Sequence, residues 1–264
     1  MNTILTTSQG AVYEITLNRP QSLNALNDEM MQDLSAVLEK VSNDRAVRCI
    51  LIKGAGASFM AGGDVKMFHK ELSKSSTDLH GRFQEFVGAL HPVIEKLINL
   101  HVPVVAAVQG AVAGFGVSLT MLCDFVVAAD DSYFTLAYIH LGATPDGSST
   151  WFLPRLVGLR RAKEIAMLGD RIPAAEAVRL GLAYKVVPRA SLDGEAASLA
   201  ARLAAGPTRA YGNTKKLLHA SFNHSLGEQM DAEVASFAEC ACNPDFAEGV
   251  TAFVERRKPQ FKGE

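Results

Sequence analysis

Asp146 is the one carboxylate in the apolar and hydroxylic stretch from Leu141 to Leu153, where it stands in Pro145-Asp146-Gly147 ahead of Ser148, Ser149 and Thr150. Partial burial disfavours a carboxylate's charged form, so its pKa rises toward the range of a useful general base. The same residue suits a helix cap, because Pro-Asp-Gly is turn chemistry and the hydroxyls after it favour a helix start. Composition alone leaves both readings open.

A second chemistry is available to the backbone. Val104 to Asp124 reads VVAAVQGAVAGFGVSLTMLCD. A β-branched run meets a turn punctuated by Gly110, Gly114 and Gly116, and an uncharged run from Val117 to Cys123 follows. This predicts a buried strand, a tight turn and a buried helix. The first N–H groups of that helix, around Gly114 and Phe115, lack intrahelical acceptors and can donate to an oxygen that becomes negative during a reaction. The competing reading is a glycine turn that only permits close packing. The residues from Val102 to Cys123 carry no charge and are long enough to cross a bilayer. Pro103, Gln109 and the three glycines argue instead for the core of a soluble protein. A second glycine-rich loop, Gly54 to Asp64 (GAGASFMAGGD), follows a predicted strand and can present N–H groups at Gly62-Gly63 as a nest does. Its spacing is not that of a dinucleotide fingerprint.

The elements that must position these groups alternate. Ala11 to Leu17 reads as a strand, Asn27 as the cap of a helix from Asp28 to Val41, and Val47 to Ile52 as a buried strand. Lys66 to about Gln84 is polar, with Ser73 to Asp78 the expected mobile loop, either a lid or a surface connection, and a longer helix is expected from Arg82 to Asn99. Short strands follow at Phe125 to Ala129 and Tyr133 to Leu136. After Arg160 the chain turns helical, with one strand at Ala183 to Val187. Strand, helix and strand in this order predict a layered α/β fold.

The 264 residues carry 26 basic and 28 acidic side chains, so no nucleic-acid footprint shows. Cys49, Cys123, Cys240 and Cys242 have no metal-ligand spacing and read as thiols in a reducing compartment. The N-terminal residues lack a basic stretch followed by an apolar one, so the expectation is a cytoplasmic protein without metal or membrane partners.

Together, five stretches resemble the enoyl-CoA hydratase/isomerase family, the crotonase superfamily. They are Leu17-Asn18-Arg19-Pro20 with Asn24-Ala25-Leu26, Phe59 to Asp64, Gly110 to Asp124, Leu168-Gly169-Asp170 with Ala174 to Gly181, and Glu248 to Lys262. The resemblance implies an α/β spiral of repeated strand-strand-helix units over residues 1–195. It also implies a helical region over 196–264 used in trimerisation, giving a homotrimer or a dimer of trimers. An acyl-CoA thioester is then the substrate, and no separate cofactor is needed because coenzyme A is part of it. Carried over by position, the oxyanion donors fall on the N–H groups of Gly63 and Phe115. Contacts to CoA fall on Ala25, Leu26, the backbone of Met60 and Ala61, Asp64 and the residues after it, Phe237 and Arg256.

The likeness to the hydratases breaks at their two glutamates. The matching positions are Ser118 and Tyr138, expected here to contact substrate. Asp146 instead falls where the isomerase branch often carries its acid, and Ser148 to Arg155 resembles that branch, including ring-opening isomerases of phenylacetyl-CoA breakdown. The expected activity is a double-bond isomerase with Asp146 as base. The alternatives are a hydratase, or another lyase or hydrolase, whose water is positioned by Tyr138, Ser118 or His140, and a non-catalytic acyl-CoA binder.

Overall fold

The computed structural model describes residues 3–74 and 78–263, so residues 75–77 of the stretch read as mobile lie outside it. Strands β1 (Ile4–Gln9) and β2 (Val12–Leu17) lead into helix α1 (Asp28–Ser42), and β3 (Cys49–Gly54) precedes α2 (Val65–Leu72), α3 (Leu79–Gly88) and α4 (His91–Asn99). Next come β4 (Val104–Val108), β5 (Ala111–Ala113), α5 (Phe115–Met121), β6 (Phe125–Ala129) and β7 (Tyr133–Thr135). Then follow α6 (Ser149–Val157), α7 (Leu159–Leu168), β8 (Ile172–Pro173), α8 (Ala174–Arg179), β9 (Lys185–Val187) and α9 (Leu192–Ala204). Helices α10 (Thr208–Ala220), α11 (Leu226–Ala241) and α12 (Pro244–Val254) close the chain.

Six strands form one sheet in the order β1-β2-β3-β4-β6-β9, and β5-β7-β8 form a second. From β2 to β9 the large sheet is parallel. Its central strands therefore bury both faces, which is why they read as continuous apolar runs. Ile50, Ile52, Val104, Ala106, Val126 and Ala128 face one core; Leu51, Val105, Ala107, Val127 and Ala129 face the other. The first core is covered by α1 through Met30, Leu34 and Leu38, and the second by α9 through Leu192, Ala196 and Leu203. Residue 195 lies within α9, whose packing belongs with the sheet.

The repeated unit is a strand in the large sheet, a short extended piece in the smaller layer, and a helix. β4-β5-α5 and β6-β7-α6 show it with full strands, while the bridges Leu26–Gly63 and Met60–Val112 extend the small layer through the two preceding turns. The glycine-bearing loops are thus the second strands of their units.

Three expectations change. Strand β1, antiparallel to β2, was not anticipated; it buries only Ile4, so no alternation marks it. The polar stretch after Lys66 carries α2 and the start of α3. The single helix expected from Arg82 to Asn99 is two, because Pro92, in the first turn of α4, lacks the N–H that would continue α3.

Candidate active site

The loop before α2 is fastened from below. Asn24, fully buried and left-handed at φ 55°, accepts from the Arg19 N–H at 2.8 Å and donates through Nδ2 to the Ala55, Ser58 and Phe59 carbonyls at 2.9–3.1 Å. Gln109 Nε2 donates to the Gly54 and Gly56 carbonyls at 2.7 and 3.1 Å. Neither clamp was anticipated, although Asn24 stands in a motif singled out in the sequence.

In the bridge between Leu26 and Gly63, Leu26 donates to the Gly62 carbonyl at 2.7 Å and accepts from the Asp64 N–H at 2.9 Å. A parallel bridge of this kind directs the middle residue's own N–H away from its partner. The Gly63 N–H has no acceptor among the described residues. On the neighbouring unit the Gly114 N–H donates to the Thr135 carbonyl at 2.9 Å. The expectation of free donors around both Gly114 and Phe115 therefore narrows to Phe115, which is the first residue of α5 and has no acceptor among the described residues. The two turns touch: a methyl group built on Gly114 would stand 3.2 Å from the Gly62 Cα, and Gly114 itself holds φ 50°, ψ −121°. Only glycine fits that conformation and that gap.

Over the first turn of α5 lies the segment that carries Asp146. A methyl group on Gly147 would come within 2.6 Å of the Phe115 ring and 3.1 Å of Ser118 Oγ. The Asp146 main-chain carbonyl accepts from the Ser149 N–H at 3.1 Å, from Ser149 Oγ at 2.8 Å and from Ser118 Oγ at 3.3 Å. Tyr138 Oη donates to Asp146 Oδ1 at 2.6 Å. Burial pushes the Asp146 carboxyl above its ordinary range, and the Tyr138 hydrogen bond partly offsets this. Burial, then the Asp146 charge, drives the Tyr138 phenol upward, so it remains a donor. His140 Nε2 lies 3.1 Å from the Gly169 carbonyl.

The remaining candidates divide. Asp64 caps α2, accepting from the Lys66 and Met67 N–H groups, and pairs with Arg19 at 2.9 Å. Both carboxylate oxygens are thus engaged in the scaffold. Arg19 also donates to the Ala25 carbonyl. Met60 exchanges hydrogen bonds with Ala111 and Ala113, and the Ala61 N–H donates to Leu23, so among the described residues the Ala61 carbonyl is the unpaired backbone group of that pair. Phe237 on α11 is exposed and packs edge-on against Phe246 at 5.9 Å. Arg256 follows α12 at φ 55°, exposed. No contact among the described residues joins either to Gly63, Phe115 or Asp146. Nor do three or more His, Cys, Asp or Glu side chains gather there as a metal site. No helix among the described residues is long and apolar enough to cross a membrane.

Known proteins match this chain along nearly its whole length. The family model "Enoyl-CoA hydratase/isomerase" matches residues 7–264. The 1,2-epoxyphenylacetyl-CoA isomerase of Escherichia coli K12 is 36% identical over 263 residues, covering 100% of this chain and 99% of that protein. The short-chain-enoyl-CoA hydratase of Clostridium acetobutylicum is 32% identical over 259 residues, covering 98% and 97%. The crystal structure of an enoyl-CoA hydratase from Polaromonas sp. JS666 superposes with a TM-score of 0.91 at 33% identity, covering 98% of this chain and 99% of that one. The fold is the crotonase fold, and the chain belongs to the enoyl-CoA hydratase/isomerase family.

Proposed function

We propose that this protein is an acyl-CoA isomerase that shifts a double bond through an enolate. The thioester carbonyl of a 3-enoyl-CoA, or of a related unsaturated or epoxidised thioester, receives the N–H groups of Gly63 and Phe115. Asp146 takes a proton from C2, and the C–H electron pair moves into the C1–C2 bond as the carbonyl oxygen becomes an anion. The same carboxyl returns the proton at C4, giving the conjugated 2-enoyl-CoA. One residue suffices when abstraction and delivery occur on one face. The observation that supports this reading is a lone carboxylate, raised by burial, held over the Phe115 turn. The reading calls on no cofactor beyond the coenzyme A of the substrate. Ala25, Leu26, the Ala61 carbonyl, Phe237 and Arg256 belong to coenzyme A recognition in it, and α10–α12 to a homotrimer or a dimer of trimers. The protein acts in the cytoplasm on this reading.

Hydration is the second reading, favoured by the names of relatives such as the Clostridium hydratase. Separate assays with 3-enoyl-CoA and 2-enoyl-CoA distinguish the two by conjugated-thioester absorbance. Isomerisation makes it appear from the first substrate, and Asp146→Asn slows this by about 10²–10⁴-fold with coenzyme A binding retained. Loss of absorbance from the second substrate, at a rate indifferent to Asp146→Asn, selects hydration.

A further inference from the structure

Tyr138 and Asp146 are eight residues apart, with the exposed run from Ile139 to Thr144 between them, yet their side chains meet at 2.6 Å. That distance lies in the range of an O–H donor on a charged carboxylate. Both ends are held. Ala137, just before Tyr138, is left-handed at φ 56°, which an alanine rarely adopts, and the Ala143 N–H closes on the Tyr138 carbonyl at 3.1 Å. The Tyr138 ring faces the other half of the site, since a methyl group on Gly114 would lie 3.8 Å from its Cζ. Asp146 is fixed at its own carbonyl by the three donors from Ser149 and Ser118. Its Oδ1 accepts the tyrosine hydrogen bond, while Oδ2 has no partner among the described residues.

We infer that Tyr138 is a positioning residue for Asp146, its hydroxyl holding Oδ1 so that Oδ2 alone carries the proton between two carbons of the substrate. This rests on Asp146 being the base. A free carboxylate can rotate and present either oxygen, whereas one pinned at Oδ1 presents a single oxygen at a fixed height above the enolate plane. The hydroxyl also favours the ionised form that accepts a proton. Other charges do not confuse this role. The surrounding elements present Phe115 and Ser118 from α5 and Ser149 from α6, none of which titrates, and His140 is engaged with Gly169. Tyr138 is therefore the titratable group in contact with the carboxylate among the described residues.

The test is Tyr138→Phe, which keeps the ring against Gly114 and removes one hydroxyl. A hydrogen bond to a charged acceptor is of a size that moves a pKa by about one to two units. The acid limb of kcat/KM, which reports the free base, is expected to move up by that amount. The plateau kcat falls by about tenfold, while KM, coenzyme A affinity and melting temperature stay near those of the parent. A merely structural role would move the melting temperature and leave the limb in place. An unmoved limb in Tyr138→Phe, with Asp146→Asn inactive, overturns the inference and leaves Asp146 as base. Full turnover in Asp146→Asn overturns both.

Discussion

Helices α1 and α11 have 15 and 16 residues and comparable apolar stripes, but they meet opposite surroundings. The stripe of α1 (Met30, Met31, Leu34, Leu38, Val41) is buried against the large sheet. On α11 no residue is buried, and Leu226, Met230, Val234 and Phe237 stand 55–77% exposed at helical spacing. An apolar stripe says that something must cover it, not what. The first region completes its packing within one chain and positions both unpaired amides and the carboxylate. The second leaves a face open that carries Phe237, and Arg256 stands exposed after α12.

The two regions remain tied. Lys215 of α10 pairs with Asp124 at 2.7 Å, and both side chains are largely shielded. The Arg155 guanidinium of α6 lies 3.7 Å from the Trp151 ring and 5.3 Å from Phe222 in the connection before α11. These contacts join the C-terminal helices and their connections to Asp124 and to α6, which begins three residues after Asp146.

Four substitutions sharpen this contrast. Leu34→Ala, in the closed region, is expected to cost about 2–5 kcal/mol by denaturant unfolding, through lost burial and a cavity. Gly114→Ala pushes a methyl group against Gly62 and strains a left-handed turn, and it should misplace the Phe115 amide. Steady-state kinetics should then show kcat lowered by about 10²–10³-fold, the worth of one oxyanion donor. Arg256→Ala, on the open side, removes a guanidinium with no partner among the described residues. Isothermal titration should find coenzyme A binding weakened about tenfold, as for loss of one charge-assisted contact. Val234→Asp should change stability of the isolated fold by no more than about 0.5 kcal/mol. Size-exclusion chromatography should nevertheless show a smaller species than the parent; an unchanged species would remove α11 from any subunit contact.

How far the sequence spoke depended on whether partners were local. The strand β4 and helix α5 were legible because both are uncharged throughout, and the Asn27 cap was legible because it accepts from Met30, three residues on. The amide assignment at Gly114 was blurred because its acceptor, Thr135, lies on another strand. Asp64 was legible as part of a motif, but not that capping and Arg19 would occupy both its oxygens. Asp146 stood out by its isolation. Tyr138 stood out through the family resemblance, but its bond to Asp146 did not, because the exposed run from Ile139 to Thr144 has no periodicity that reports the fold-back joining them. Pro92 did carry the signal for the break between α3 and α4, and the apolar residues on either side outweighed it.

The central claim is that backbone amides hold an enolate that Asp146 creates. Proton NMR of 3-enoyl-CoA with the enzyme in D₂O tests it most directly. The prediction is that one C2 proton is lost and C4 gains the carboxyl's proton as the conjugated product forms, with any solvent deuterium picked up by the carboxyl before delivery entering at C4, and that both events are lost in Asp146→Asn. Removal of the C2 proton that continues unchanged in Asp146→Asn, or conjugated product formed with both C2 protons retained, would contradict it.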